Sequence, residues 1–143
     1  MRVADLLRAK GSEVATVPPE QSVTGLLDDL ARHNVGALVV VDSSGALVGI
    51  VSERDVVRRL DERGAELLTA QVDQIMTSQV VTCDPNEGVD RLAEIMTERR
   101  VRHMPVVEDG QLVGIVSIGD VVKSRIEQLE SHNEQLESYI AQG

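Results

Sequence analysis

One stretch of this chain occurs twice: Gly49-Ile50-Val51-Ser52-Glu53-Arg54-Asp55-Val56-Val57 returns as Gly114-Ile115-Val116-Ser117-Ile118-Gly119-Asp120-Val121-Val122. The likeness extends upstream. Thr16-Val17-Pro18-Pro19 is echoed by Thr82-Cys83-Asp84-Pro85, and Asn34 to Asp42 by Arg100 to Glu108. The spacing between equivalents changes by one residue, at Ser43-Ser44-Gly45 against Asp109-Gly110, where a loop absorbs a change of length without disturbing its flanks. A period this long marks a supersecondary unit that cannot bury its apolar face alone, so the two copies are expected to pack on each other with pseudo-two-fold symmetry and two equivalent clefts.

Each copy reads β-α-β-β-α. Val3 to Ala9 and Val72 to Met76 carry apolar residues at helical spacing and open the two halves. Val14 to Val17 and Val80 to Cys83 are short β-branched stretches stopped by proline. Val23, Leu26, Leu27, Leu30 and Ala31 mark one helical face, matched by Val89, Leu92, Ala93 and Met96. The apolar run Val35 to Val41, the turn Asp42-Ser43-Ser44-Gly45 and the run Ala46 to Val51 form a hairpin of buried strands, repeated around Glu108-Asp109-Gly110. The expected organisation is a first repeat over 1–62, a polar linker over 63–71, a second repeat over 72–126 and a helical tail over 127–143.

The repeated Ser-x-x-Asp before an apolar run is a helix N-cap signature, in which the hydroxyl satisfies a free amide and the carboxylate favours the positive helix end. It also lies where a strand turns abruptly into a helix, and the free amides of such a turn suit a phosphate. Asp55 and Asp120, one turn in, can accept hydrogen bonds from a ribose diol. Gly49 and Gly114, three residues before each serine, read as places where a ligand approaches the backbone.

These motifs resemble a pair of CBS motifs, the tandem of a Bateman module, over about residues 1 to 126. The resemblance rests on Gly-hydrophobic-hydrophobic-Ser-x-x-Asp in both copies and on the β-α-β-β-α order. It implies an α/β fold of two CBS repeats plus a C-terminal helix. It also implies a regulatory module binding AMP, ATP or a related adenosyl compound such as NAD or S-adenosylmethionine, as in the gamma subunit of AMP-activated protein kinase. By that resemblance Asp55 with Ser52, and Asp120 with Ser117, are ribose and phosphate contacts. Val35, Ala37, Ile115 and His103 are expected at the Asp120 cleft, and Ile50, Val81, Thr82 and Met104 at the Asp55 cleft. Arg102 and His103, from the basic cluster Arg99-Arg100-x-Arg102-His103, are phosphate candidates, and Arg54 inside the first motif is placed to reach a phosphate or a dimer partner.

Composition narrows the remaining classes. A formal net charge of -10 opposes a nucleic-acid partner, which needs a basic footprint, and with one Tyr, no Trp and no Phe there are no base-stacking platforms. No apolar run reaches the ~20 residues of a membrane span and no signal-type stretch opens the chain, so a cytoplasmic protein is expected. Three scattered histidines lack metal-ligand spacing, and the single Cys83 is expected to be a buried, inert thiol. Catalysis requires a nucleophile beside a base or a metal-held water, and no histidine is fixed near either serine, so no enzymatic activity and no required cofactor are expected. The alternative is a ligand-free interaction protein acting through dimerisation and its acidic surface, with any output going through a separate effector protein.

In the tail, Val122, Ile126, Leu129, Asn133, Leu136 and Ile140 alternate at intervals of four and three, a heptad seam with Asn133 at a core position. Two arrangements fit it: a short coiled coil in a homodimer, or a terminal helix packed back on the domain.

Overall fold

The computed structural model describes residues 1–11 and 13–142. Helix α1 (Val3–Lys10) precedes strand β1 (Thr16–Val17), helix α2 (Val23–His33), the hairpin β2 (Ala37–Val41) and β3 (Leu47–Ser52), and helix α3 (Glu53–Arg63). Two short 3-10 turns, Gly64–Thr69 and Val72–Gln74, lead to α4 (Val89–Arg99), the hairpin β4 (His103–Glu108) and β5 (Gln111–Ser117), and the long α5 (Ile118–Gln142). The chain is thus the expected mixed α/β pair of repeats with a C-terminal helix.

In the first half β1 runs parallel to β2, and β2 antiparallel to β3. In the second half the counterpart of β1 shrinks to a single parallel bridge between Cys83 and Val106, held by Cys83 N–H to the Pro105 carbonyl at 3.0 Å and Val107 N–H to the Cys83 carbonyl at 2.9 Å. The two hairpins match in register: Ala37 faces Ser52, and His103 faces Ser117. Helices α2 and α4 both end on a left-handed residue, Asn34 at φ 53° and Arg100 at φ 55°. The repeat is therefore preserved down to the backbone angle that turns each helix into its hairpin.

The two copies exchange their opening segments. Val3, Leu6 and Leu7 of α1 join the core of the second half, with Leu92, Met96, Met104, Val106 and Val116. Val72 and Ile75 join the core of the first half, with Leu26, Leu38, Val40 and Val51. Matching backbone bonds fasten both exchanges: Val3 N–H to the Glu87 carbonyl at 2.9 Å and Ala4 N–H to Pro85 at 2.8 Å, against Val72 N–H to Gln21 at 2.8 Å and Asp73 N–H to Pro19 at 3.0 Å. Neither sheet is covered without the other copy's chain. The cores are aliphatic and close-packed, as a chain without Phe or Trp must make them.

This exchange also explains the repeated glycines. A Cβ on Gly49 would lie 2.6 Å from the Met76 sulfur and 3.0 Å from the Thr77 carbonyl, and one on Gly114 would lie 2.5 Å from Leu7 Cδ2. The missing side chains make room for the crossing segment and not for a ligand, which corrects the sequence reading. The segment read as a linker is likewise occupied: Leu67 is completely buried in the first core.

Cys83 is buried, and desolvation, with the Glu87 and Asp84 charges adding to it, pushes its thiol up to about 12. A thiol in that state is not a nucleophile at physiological pH. Native protein at pH 8 is therefore expected to leave a chromogenic disulfide reagent untouched and to titrate one thiol only after denaturation. Rapid reaction of the folded chain would place Cys83 at the surface instead. Among the described residues no helix is long and apolar enough to cross a membrane.

Candidate functional site

At the start of α3 the chain leaves β3 extended, with Ser52 at φ -124° and ψ 164°, and turns directly into the helix. The capping box closes in both directions. Asp55 N–H donates to Ser52 Oγ at 3.3 Å, and Ser52 N–H donates to Asp55 Oδ2 at 2.8 Å. Ser52 Oγ lies 3.1 Å from the same Oδ2. Among the described residues every hydrogen bond to this carboxylate falls on Oδ2, which leaves Oδ1 as an open acceptor.

A cavity of about 550 Å³ opens above this turn, the size of a small-molecule site. Ile50, Ser52, Glu53, Arg54, Asp55 and Val57 form one wall, with Gly36 and Ala37 beside them. Thr77, Gln79, Val80 and Val81 form a second wall, and Arg100, Val101, Arg102 and His103 a third. Three arginines and a histidine thus meet two carboxylates in one apolar-floored cleft. Arg100 stands in the left-handed region, a conformation uncommon for a side chain of its size. Burial, then the neighbouring Lys10 charge, hold His103 below its ordinary 6.5 against the opposing pull of Asp120 and Glu53, so the ring is neutral at pH 7.

The second motif has the same local geometry and a different occupant. Ser117 N–H donates to Asp120 Oδ2 at 2.8 Å, and Asp120 N–H to Ser117 Oγ at 3.1 Å. Lys10 Nζ, carried there by the last turn of α1, donates to the same Oδ2 at 2.6 Å and to the Ile115 carbonyl at 2.9 Å. In the first copy the matching carbonyl, that of Ile50, is taken by Thr77 N–H at 2.9 Å. Burial alone would raise the Asp120 carboxyl, but the Lys10 and Ser117 hydrogen bonds outweigh it and hold it below its usual range. Oδ1 takes no hydrogen bond in either copy among the described residues; the difference is the lysine ammonium paired with the Asp120 carboxylate, which has no counterpart on Asp55.

The structure redistributes several residues expected from sequence. Ile50, Ser52, Arg54, Asp55, Val81, Arg102 and His103 line the one cavity, and Ile115, Ser117 and Asp120 stay together around Lys10. Ala37 lines the Asp55 cleft and not the Asp120 cleft, because antiparallel pairing sets it directly opposite Ser52. His103 also faces the Asp55 cleft, although it pairs with Ser117 and feels the Asp120 charge. Val35 lies outside, in a shallow groove with Leu27, Leu30 and Asn34, since the left-handed turn at Asn34 points it back along α2. Met104 is fully buried in the second core, one residue out of phase with His103 on β4, so alternation turns it inward. Thr82 is exposed and lines no part of the cavity. Thr77, Gln79 and Val80 were not anticipated. Their placement follows from the exchanged segment, which no local pattern reveals.

Two repeats, each ending in a Ser-x-x-Asp capped helix and each completing the other's core, define a tandem two-repeat module. The chain belongs to the CBS domain family, whose model matches residues 3–62 and 72–127. Among its relatives is the CBS domain-containing protein CBSX3, mitochondrial, of Arabidopsis thaliana, 34% identical over 149 residues, covering 99% of this chain and 72% of that protein. The crystal structure of the CBS-domain containing protein ATU1752 from Agrobacterium tumefaciens is 48% identical with a TM-score of 0.85, covering 87% of this chain and 92% of that one. The CBS domain pair of protein MJ0100, solved in complex with 5-methylthioadenosine and S-adenosyl-L-methionine, is 29% identical with a TM-score of 0.80, covering 90% and 98%.

Proposed function

We propose that this chain is a non-catalytic regulatory module that binds an adenine nucleotide in the Asp55 cleft. The observation that carries this reading is the open oxygen of Asp55 above a cavity of about 550 Å³ whose rim carries Arg54, Arg100 and Arg102. A carboxylate oxygen with no protein donor is suited to a ribose diol, and the dipole at the start of α3 favours a phosphate nearby. Clustered arginines in a protein of net charge -10 mark the place where an anion is drawn in. The cleft floor of Ala37, Ile50, Val80 and Val81 offers the apolar slot that a purine requires. MJ0100, bound to two adenosyl compounds, supports the adenosyl class, and the arginines favour a phosphate-bearing member such as AMP, ATP or NAD over S-adenosylmethionine. Occupancy alters an effector protein only where the ligand prefers one arrangement of the module over another.

Calorimetric titration of stripped protein with AMP, ATP, NAD and S-adenosylmethionine tests the reading. Saturable binding of a phosphate-bearing compound at one site per chain is the expected result. Absence of heat and of thermal stabilisation with all four would overturn it, leaving an interaction protein that works without ligand.

The single site follows from Lys10, whose ammonium pairs with the Asp120 carboxylate and stands in front of it, held there by the Ile115 carbonyl. Lys10→Ala is expected to raise the stoichiometry from one towards two at saturating nucleotide, with the first site's affinity unchanged. Wild-type protein that already binds two molecules with similar affinity would remove Lys10 from this role.

A further inference from the structure

We propose that α5 pairs with α5 of a second copy of this chain as a parallel, two-stranded coiled coil. In heptad terms Ile126, Asn133 and Ile140 occupy a positions, and Val122, Leu129 and Leu136 occupy d. The domain body uses the opposite face of the helix. Val121 and Ser124, at c and f, are 6% and 3% exposed, and Ser124 Oγ reaches the Met1 sulfur at 2.8 Å. The seam points away: Val122, Ile126, Leu129, Leu136 and Ile140 are between 47% and 74% exposed. Packing back on the domain, the other arrangement the sequence allowed, is therefore not what covers it.

The chemistry of the seam selects its occupant. Isoleucine at a with leucine at d favours two strands, and a lone asparagine at a fixes register through its own copy across the axis. In a parallel pair each g residue faces the e residue of the next heptad on the other helix. That sets Arg125 opposite Glu130 and His132 opposite Glu137 of the second copy, a donor against a carboxylate in every case. Arg125 now touches Asp90 at 3.6 Å and is 61% exposed, so it is free to turn. Antiparallel registers that use the whole seam would set Glu130 against Glu130 or Glu137 and Asn133 against a leucine. The seam spans about 27 Å, short for a coiled coil, so association in the micromolar range is expected. Because α5 starts at the Ser117 and Asp120 turn, pairing would bring the two copies' second motifs to the same end of the dimer.

Sedimentation velocity on the full chain across micromolar concentrations is expected to show a dimer that Leu129→Asp with Leu136→Asp converts to monomer. Both sites are exposed in the single chain, so the domain should stay folded and its thermal transition should match that of the wild-type chain diluted to monomer. Leu136→Cys is expected to form a covalent dimer on mild oxidation, while Ser138→Cys, on the outer face, stays monomeric, both read on a denaturing gel without reductant. A wild-type chain that is monomeric throughout, a dimer indifferent to the two aspartates, or equal crosslinking at both cysteines would each overturn the proposal.

Discussion

Asp55→Ala is expected to lose nucleotide affinity by about 100-fold or more, while Asp120→Ala stays within about threefold of the unmodified chain. The asymmetry is the test, since the two residues occupy equivalent places in identical motifs. Two hydrogen bonds from a ribose diol to a charged acceptor contribute on the order of 1.5 to 3 kcal/mol each, which sets the size of the loss. Asp120 is expected to add little to that sum because, unlike Asp55, its charge is already paired with the Lys10 ammonium, which stands where a diol would approach. Removing Asp55 also breaks half of a capping box, at a cost of about 0.5 to 2 kcal/mol of stability. Asp55→Asn separates the two effects, because the amide oxygen still accepts from the Ser52 N–H while the charge that strengthens the diol contact is gone. Calorimetry on all three variants, with thermal unfolding alongside, decides the matter. Equal losses for Asp55→Ala and Asp120→Ala would mean that Lys10 yields readily to ligand. An unaffected Asp55→Ala would remove the ribose contact from this cleft altogether.

Repetition made most of the architecture legible. A hairpin flanked by two helices can be read twice over from Val23 to Leu60 and from Val89 to Ile126, and the structure keeps both. The Ser-x-x-Asp turns could be placed because capping is a local matter of hydroxyl, amide and carboxylate, settled within one helical turn. What stayed hidden was everything decided between the copies. Gly49 and Gly114 read equally well as space for a ligand or for a crossing segment, and only the positions of Met76 and Leu7 separate the two. Lys10 carried no sequence signal, since its partner lies at the far end of the chain and the counterpart segment holds no lysine. The expectation that one copy's motif faces the other copy's strand holds for His103, which pairs with Ser117 yet reaches the Asp55 cavity, and fails for Ala37, which stays beside Ser52 of its own copy.

Leu67→Ala carries the largest expected effect on stability, about 2 to 5 kcal/mol, although the residue lies in a stretch whose polarity reads as a connector. From Asp61 to Gln71 the sequence is rich in charge and interrupted by Gly64, and neither helical nor strand periodicity survives there. The backbone explains why. Gly64 takes φ 67°, ending α3, and the chain then winds as a 3-10 turn over Gly64–Thr69, whose three-residue pitch presents a single side chain inward. That side chain is Leu67, completely buried against the first core, while Leu68 beside it is 37% exposed. The turn also carries the chain to Ala70 and Val72, whose backbone bonds to Val23 and Gln21 begin the exchanged segment. Truncating Leu67 therefore empties a core position at the point where the two halves are tied together. A domain of this size is stabilised by about 5 to 15 kcal/mol in total, so the variant should unfold roughly 10 °C lower. Leu68→Ala, the neighbouring control, should move the transition by no more than about 3 °C. Chemical denaturation of both variants measures the difference directly, and equal midpoints would show that the segment is a connector after all.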